Sequence, residues 1–349
     1  MTGKHQLVPK LFWAVIALIL LRMLCSWLLG SRWALFAQPE VAAYLLTEPA
    51  TDSVAAPVVT PPFTTAPEQP TQTTEPVTQP SEPEVILPAI VMPEVPVNGY
   101  SFEASDVSFV EMNYSAKRTP DIEGLLTRSL DWDLTSDEPS VLIYHTHGTE
   151  AFTPCENHSY EEVGGAYRTT DDQCNMLALG DELARLLNEA GIYAVQDRTY
   201  YDYPDYTISY DTARTGLQEQ LKKYPTVKLV IDLHRDSDEL SDGTQWATKA
   251  VINGEKSAQV MLVMGTDTYY THPEWETNLS IALKLQAIME KNHEGSTRPL
   301  DLRRQRFNQD LSSGAIIAEI GAAGNTYEEA RNGVSALAKA IIMLAKGAN

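Results

Sequence analysis

Eleven of the chain's 21 prolines fall between Thr51 and Tyr100, dispersed among Thr, Gln and Glu in stretches such as TTAPEQPTQTTEPVTQPSEPEV. Each proline fixes φ and removes a backbone donor, and so polar a segment has nothing to bury, so neither helix nor core can be built there. Residues 31–99 are therefore read as a linker, and any folded domain has to come from residues 100–349. At ~3 Å per residue, a polyproline-like spacer could hold that domain on the order of 100 Å from what precedes it.

Residues 11–30, LFWAVIALILLRMLCSWLLG, match the ~20 apolar residues that a helix needs to cross a bilayer. Its single charge, Arg22, costs roughly 2.5–3.5 kcal/mol on insertion scales, less than the surrounding apolar residues return. Lys4, His5 and Lys10 lie ahead of the run. The positive-inside rule then makes residues 1–10 cytoplasmic, 11–30 a transmembrane anchor, and the remainder extracytoplasmic. A cleaved signal peptide is the competing reading, although SRWALFAQPE offers no clean small-x-small cleavage site.

Acidic residues outnumber basic ones 47 to 26, a net charge of −21. A field of that sign repels phosphate backbones, which excludes a nucleic-acid-binding role. Three cysteines, one of them (Cys25) inside the apolar run, can build neither a disulfide framework nor an all-cysteine zinc site. A metal here has to use His and carboxylates. Cys155 and Cys174 remain open as a disulfide or as free thiols.

From Pro139 onward, short apolar runs alternate with helical periods. The runs PSVLIYHTH, VKLVIDLHRD, AQVMLVMGTD and GAIIAEIG are almost continuously apolar, as parallel strands covered on both faces are. Helices are expected over 172–190, 208–223, 276–292 and 326–347, where Leu and Ala recur at i, i+3, i+4. The pattern predicts an α/β fold, a three-layer α/β/α domain with a mostly parallel sheet. Such sheets bind ligands outside the carboxyl ends of their strands.

Those ends carry chemistry. His145-Thr146-His147-Gly148-Thr149-Glu150 follows VLIY, His234-Arg235-Asp236 follows LVIDL, and Glu319 follows AIIA. Three His, Asp or Glu ligands converging from separate strands, with a fourth position open to water, is how hydrolases hold zinc. A lone strand-end His is more often structural, but three strands delivering such residues to one edge favour a metal site.

The segments VLIYHTHGTEAF, GDELARLLNEAGI, DLHRDS and RFNQDLSSGAIIAEIGAAGNTYEEA resemble the stage II sporulation protein P family over about residues 105–345. That family resembles zinc-dependent N-acetylmuramoyl-L-alanine amidases, which cut the amide between the glycan lactyl group and the stem peptide of peptidoglycan. The resemblance implies a zinc hydrolase at the engulfing membrane of a sporulating bacterium. It further implies stage II sporulation proteins D and M as partners and peptidoglycan as substrate. Laid on the amidase pattern, His147 and His234 fall on zinc ligands and Glu319 on the final catalytic Glu. The amidases' carboxylate ligand falls nearest Asp171, but His147-x-x-Glu150 has the spacing used by zinc carboxypeptidases of a related architecture, so Glu150 is preferred with Asp171 as the alternate, and His145 is an alternate to His147. Arg235, beside His234, is a candidate for oxyanion or carboxylate binding, or for pairing with Asp232 or Asp236. A non-catalytic wall-binding scaffold, or a peptidoglycan endopeptidase or carboxypeptidase, stays open beside the amidase.

Arg303, Arg304 and Arg306 form a basic cluster suited either to an anionic stem peptide or to surface ion pairs, and Asn308 and Gln309 are candidates for lining the site. His158, His272 and His293 stand in polar stretches and are expected to be solvated. The Tyr- and Asp-rich stretch from Tyr200 to Tyr210 is a candidate loop shaping the cleft.

Overall fold

The computed structural model describes residues Tyr100–Gly347, apart from positions 131, 132, 157, 166, 239 and 241. The apolar run 11–30 and the linker 31–99 lie outside the described residues. Among the described residues, no helix is long and apolar enough to cross a membrane.

In chain order the elements are β1 (Met112–Tyr114), α1 (Ile122–Thr127), β2 (Val141–Tyr144), α2 (Met176–Glu189), β3 (Ala194–Gln196), α3 (Ser209–Lys223) and β4 (Leu229–Asp236). There follow β5 (Ala250–Ile252), β6 (Glu255–Ser257), β7 (Val260–Met264), α4 (Trp275–Asn292), β8 (Leu300–Leu302), β9 (Ala315–Ala322) and α5 (Tyr327–Gly347). Seven strands form one sheet in the order β1-β8-β7-β9-β4-β2-β3, and β5 and β6 form a separate hairpin. Neighbours in the large sheet are parallel except β7 and β9, which are antiparallel. The sheet is thus two parallel blocks running in opposite directions, not the uniform array that a parallel sheet would give.

The two faces of the sheet are covered unequally. Val141, Ile143, Leu229, Ile231, Leu233, Ile316, Ala318 and Ile320 pack with the apolar sides of α1, α2, α4 and α5 in one large core. The alternate residues Leu142, Tyr144, Val230 and Ala315 form a smaller cluster with Ala213 and Leu217 of α3 and Tyr201, flanked by Val195, Leu221, Val227 and Leu311. Met261, Val263 and Ile317 are met by Phe307. Four helices therefore cover one face and a single helix part of the other, and the second face leaves room for a site.

Local signals explain the element that backs the first strand end. Asn175 caps α2, its Oδ1 accepting the Leu177 amide at 2.9 Å. Met176, Leu179, Leu183 and Leu186 then fall on one buried stripe. Gly180 sits where a Cβ would come within 2.7 Å of His145 Nε2, so this helix seats tightly over the end of β2. At the far end of the domain, Tyr100 lies against Gly347, whose Cβ would collide with the Tyr100 backbone. Because α5 starts beside the carboxyl end of β9 and runs ~31 Å back across the sheet, that meeting point is at the opposite edge from the strand ends that carry His and Glu.

Candidate functional site

Strand parity decides which face each residue serves. Along β4, Val230, Asp232 and His234 point to the thinly covered face, while Leu233 and Arg235 point to the four-helix face. Glu319 shares the parity of Ala315 and Ile317, and it is paired in register with His234 on one side and with Met261 on the other. In-register neighbours on parallel strands lie ~5 Å apart on one face, so β4 and β9 bring His234 and Glu319 side by side. One residue further the register shifts, with Asp236 opposite Ala322; Gly321, at φ +66, takes the strain of that bulge.

The third arm is the turn after β2. Asp232, which is 1% exposed, accepts both the Thr146 amide at 2.8 Å and the Thr146 hydroxyl at 2.6 Å. The Glu150 amide donates to the His147 carbonyl at 3.2 Å. This turns His147 and Glu150 onto the face that holds His234. The His147 and His234 rings stand 5.2 Å apart and perpendicular, at 89°. Glu150 Oε2 lies 3.5 Å from His234 Nδ1, and Asp232 Oδ1 lies 2.7 Å from His234 Nε2. His147, Glu150, His234 and Asp232 are all buried; Glu319 is partly exposed, although its Oε2 is enclosed.

The electrostatics follow from this crowding. Burial opposes charge on Glu150, yet Arg235 and the two histidines outweigh it and hold its carboxyl below the usual range. Burial likewise opposes charge on His234, but Asp232 and Glu150 push its pKa well up. His147, dominated by burial, drops to about 3 and is neutral. Glu319 rises to about 8, first through burial and further through Asp236 and Glu150, with His234 and Arg303 opposing.

Three buried polar atoms of this cluster lack a well-formed hydrogen bond: His147 Nδ1, Glu319 Oε2, and His234 Nε2, which is close to Asp232 but out of line with it. Two imidazoles and a carboxylate are a zinc-type donor set. In chemistry and burial, His147, Glu150 and His234 therefore fit such an ion. Among the described residues, no group of three or more His, Cys, Asp or Glu stands together at ion-holding spacing as placed. Glu150 and His234 form a close pair and His147 stands beside them.

Other expected residues go elsewhere. His145 has the parity of Ile143 and faces α2, where Nδ1 meets the Leu233 carbonyl at 3.0 Å and Nε2 meets Gln196 at 2.9 Å; both ring nitrogens are occupied away from the site. Asp171 is exposed and accepts the Gln173 amide at 3.1 Å. Arg235 is a correction. Its guanidinium points to the four-helix face, donating to the Ala151 carbonyl at 2.8 Å and the Tyr167 carbonyl at 2.9 Å, so it ties down the loop that carries Glu150 instead of reaching for substrate. Neither Asp232 nor Asp236 is its salt-bridge partner, since Asp236 pairs with Arg298 at 2.6 Å.

Arg303 pairs with Asp301 at 2.7 Å and Arg306 with Asp310 at 3.4 Å, while Arg304 donates to the Ser115 carbonyl at 3.0 Å. Asn308 and Gln309 are buried and structural: Asn308 donates to the Tyr210 carbonyl at 2.9 Å, and Gln309 bridges the Gly265 amide and the Val263 carbonyl. His158 and His272 are buried, not solvated; the first stacks on Tyr327 at 4.3 Å and the second meets Asn278 at 3.1 Å. Cys155 and Cys174 are free thiols.

Residues that sequence reasoning did not place at the site are Asp232 and Arg168, and within the Tyr200–Tyr210 stretch it did not single out Tyr206 and Tyr210. Tyr206 stacks on His147 at 4.4 Å and Tyr210 meets its edge at 5.6 Å, so the Tyr200–Tyr210 stretch does wall this group. Asp232 was findable: it stands two residues before His234 on a strand, which puts it on the same face.

Strand order, unequal coverage and a buried histidine–carboxylate cluster define an α/β domain with a candidate site beside the carboxyl ends of β2, β4 and β9. The chain belongs to the stage II sporulation protein P (SpoIIP) family, whose model matches residues 63–342. It is 28% identical over 215 residues to the stage II sporulation protein P of Bacillus subtilis, a match covering 58% of this chain and 50% of that relative, so it spans about half the length of the curated relative. Among solved structures it is similar to the N-acetylmuramyl-L-alanine amidase Ami1 of Mycobacterium smegmatis, at 11% identity and TM-score 0.37, covering 60% of this chain and 97% of that one. It is also similar to the CwlD amidase of Clostridioides difficile, solved in complex with the GerS lipoprotein, at 9% identity and TM-score 0.34, covering 59% and 95%. Likeness of that degree carries no chemistry across, so the case for an activity rests on the residues above.

Proposed function

We propose that this chain is a zinc-dependent N-acetylmuramoyl-L-alanine amidase acting on peptidoglycan during sporulation, held at the engulfing membrane through residues 11–30. The observation that supports it most is the unpartnered Nδ1 of buried, neutral His147 beside the Glu150–His234 pair, with the unpartnered Oε2 of Glu319 on the neighbouring strand. His147, Glu150 and His234 would hold the ion, which when bound would acidify a water and polarise the scissile carbonyl. Glu319, whose carboxyl is already displaced towards neutrality, takes a proton from the attacking water and returns it to the leaving amine. Asp232 orients His234, and Arg235 holds the loop that presents Glu150. Stage II sporulation proteins D and M are the partners that this reading expects.

The test is digestion of purified peptidoglycan with and without a chelator, with products identified by mass spectrometry. Chelator-sensitive release of sugar-free stem peptides is the expected result. Peptides cut at crosslinks but still attached to muramic acid would move the assignment to an endopeptidase. No release, even with protein D added, would leave a wall-binding scaffold.

A further inference from the structure

Of the two imidazoles in the zinc-type set, His234 has carboxylates close to its ring nitrogens, whereas the place beside His147 Nε2 is taken by a tyrosine. Tyr206 Oη lies 3.1 Å from His147 Nε2, and the two rings are stacked 4.4 Å apart at an interplanar angle of 17°. Tyr206 is itself supported. It opens a short turn, Tyr206–Ile208, capped by the Asp205 carboxylate, which accepts the Thr207 amide at 2.9 Å. The Arg168 guanidinium lies 4.0 Å over the Tyr206 ring and pairs with Glu150 at 3.8 Å and with Asp202 at 3.7 Å. Asp202 in turn accepts the Thr149 hydroxyl at 2.6 Å. One network thus runs from the ring of His147, through Tyr206 and Arg168, to Glu150 and the turn between them.

We propose that Tyr206 is a positioning residue that fixes the ring plane and tautomer of His147 and so presents Nδ1 as the donor to a zinc ion. This rests on the reading of His147 as a ligand. The bond made by one imidazole nitrogen decides which nitrogen is left for a metal, and loss of such an outer partner typically weakens metal binding by ~10–100-fold. Stacking restricts rotation of the ring, and with the Tyr206 hydroxyl accepting Nε2–H the lone pair of the neutral ring is left on Nδ1, which is buried and has no protein partner. Tyr206 itself touches neither ion nor substrate in this role.

The experiment compares the purified full-length chain with Tyr206→Phe, which keeps the stack and removes the hydroxyl, and with Tyr206→Leu, which removes both. Zinc affinity is read by competition with a chromogenic chelator, coordination by the visible absorption of the cobalt-substituted protein, and folding by thermal melting in chelator. The expected result is a zinc Kd about tenfold weaker in Tyr206→Phe and weaker again in Tyr206→Leu, a shifted cobalt spectrum, and unchanged melting of the metal-free protein. Wild-type affinity and spectrum in both variants would overturn the role of Tyr206 while leaving the metal site intact. Loss of affinity with an equal loss of metal-free stability would also overturn it, in favour of plain packing. A wild-type chain that takes up no zinc would overturn the metal reading itself.

Discussion

Glu319 offers a measurement that separates its environment from any activity. Its carboxyl titrates at about 8 in the folded chain against an ordinary 4.5, with burial as the first cause. A raised carboxyl pKa means that the folded state binds more protons than the unfolded state between those values. The associated stability is complete below about pH 4.5 and is lost as pH rises through about 8. Taken at face value the displacement corresponds to about 5 kcal/mol at ~1.4 kcal/mol per unit; because part of the side chain reaches solvent, about 2–3 kcal/mol is the working figure. Glu319→Gln keeps the shape and removes the titration. Urea unfolding of the chain from residue 100 on, in chelator at a series of pH values, gives the difference in stability between variant and wild type, in which groups common to both largely cancel. The curves should meet near pH 5 and separate towards pH 8.5, with the variant more stable by about 2–3 kcal/mol. A difference that stays flat within about 0.5 kcal/mol across that range would refute an enclosed, hard-to-ionise Glu319.

In the activity assay, Glu319→Gln should keep its zinc and lose turnover by several orders of magnitude, so an active variant would remove Glu319 from the reaction. His234→Ala should lose both metal and activity, and stoichiometric zinc by elemental analysis would count against the ligand set. Asn325 is buried and links β9 to the segment around Thr248: its Oδ1 accepts the Thr248 and Ala322 amides at 3.0 Å each, and its Nδ2 donates to the Thr248 carbonyl at 2.8 Å and to Glu329 at 2.9 Å. Asn325→Ala strands those groups and should cost about 3–5 kcal/mol in urea unfolding, while a loss under about 1 kcal/mol would show that the link carries little.

Long periodic segments were readable before any coordinates. β2, β4, β7 and β9 and the four long helices fall where apolar runs and i, i+3, i+4 spacing put them, because burial on both faces of a strand, or on one side of a helix, writes itself into composition. β1, β3 and β8 are three residues each and exist through their pairing, which no local pattern records. The β5–β6 hairpin carries a local signal of its own, the turn dipeptide Asn253-Gly254 with φ +54 and +86. The reversal of β7 against β9 was invisible, since VMLVM, buried on both faces, looks the same in either direction. At the site, His145 and His147 are two apart and would share a face on a continuing strand. β2 ends at Tyr144, however, and the turn held by Asp232 sends the two rings to opposite sides of the sheet.

The meeting of Tyr100 with Gly347 has a practical side. Tyr100 and Gly347, the first and last described residues, lie together at the edge remote from His147, His234 and Glu319. A resin, a fluorophore or a fusion joined beside either residue therefore leaves the edge that carries His147, His234 and Glu319 facing outward. A short bridge between the two ends would also close the chain on itself, so new termini can be opened in an exposed loop such as the one around Gly243 without cutting any strand of the large sheet. The domain is built to be gripped from behind.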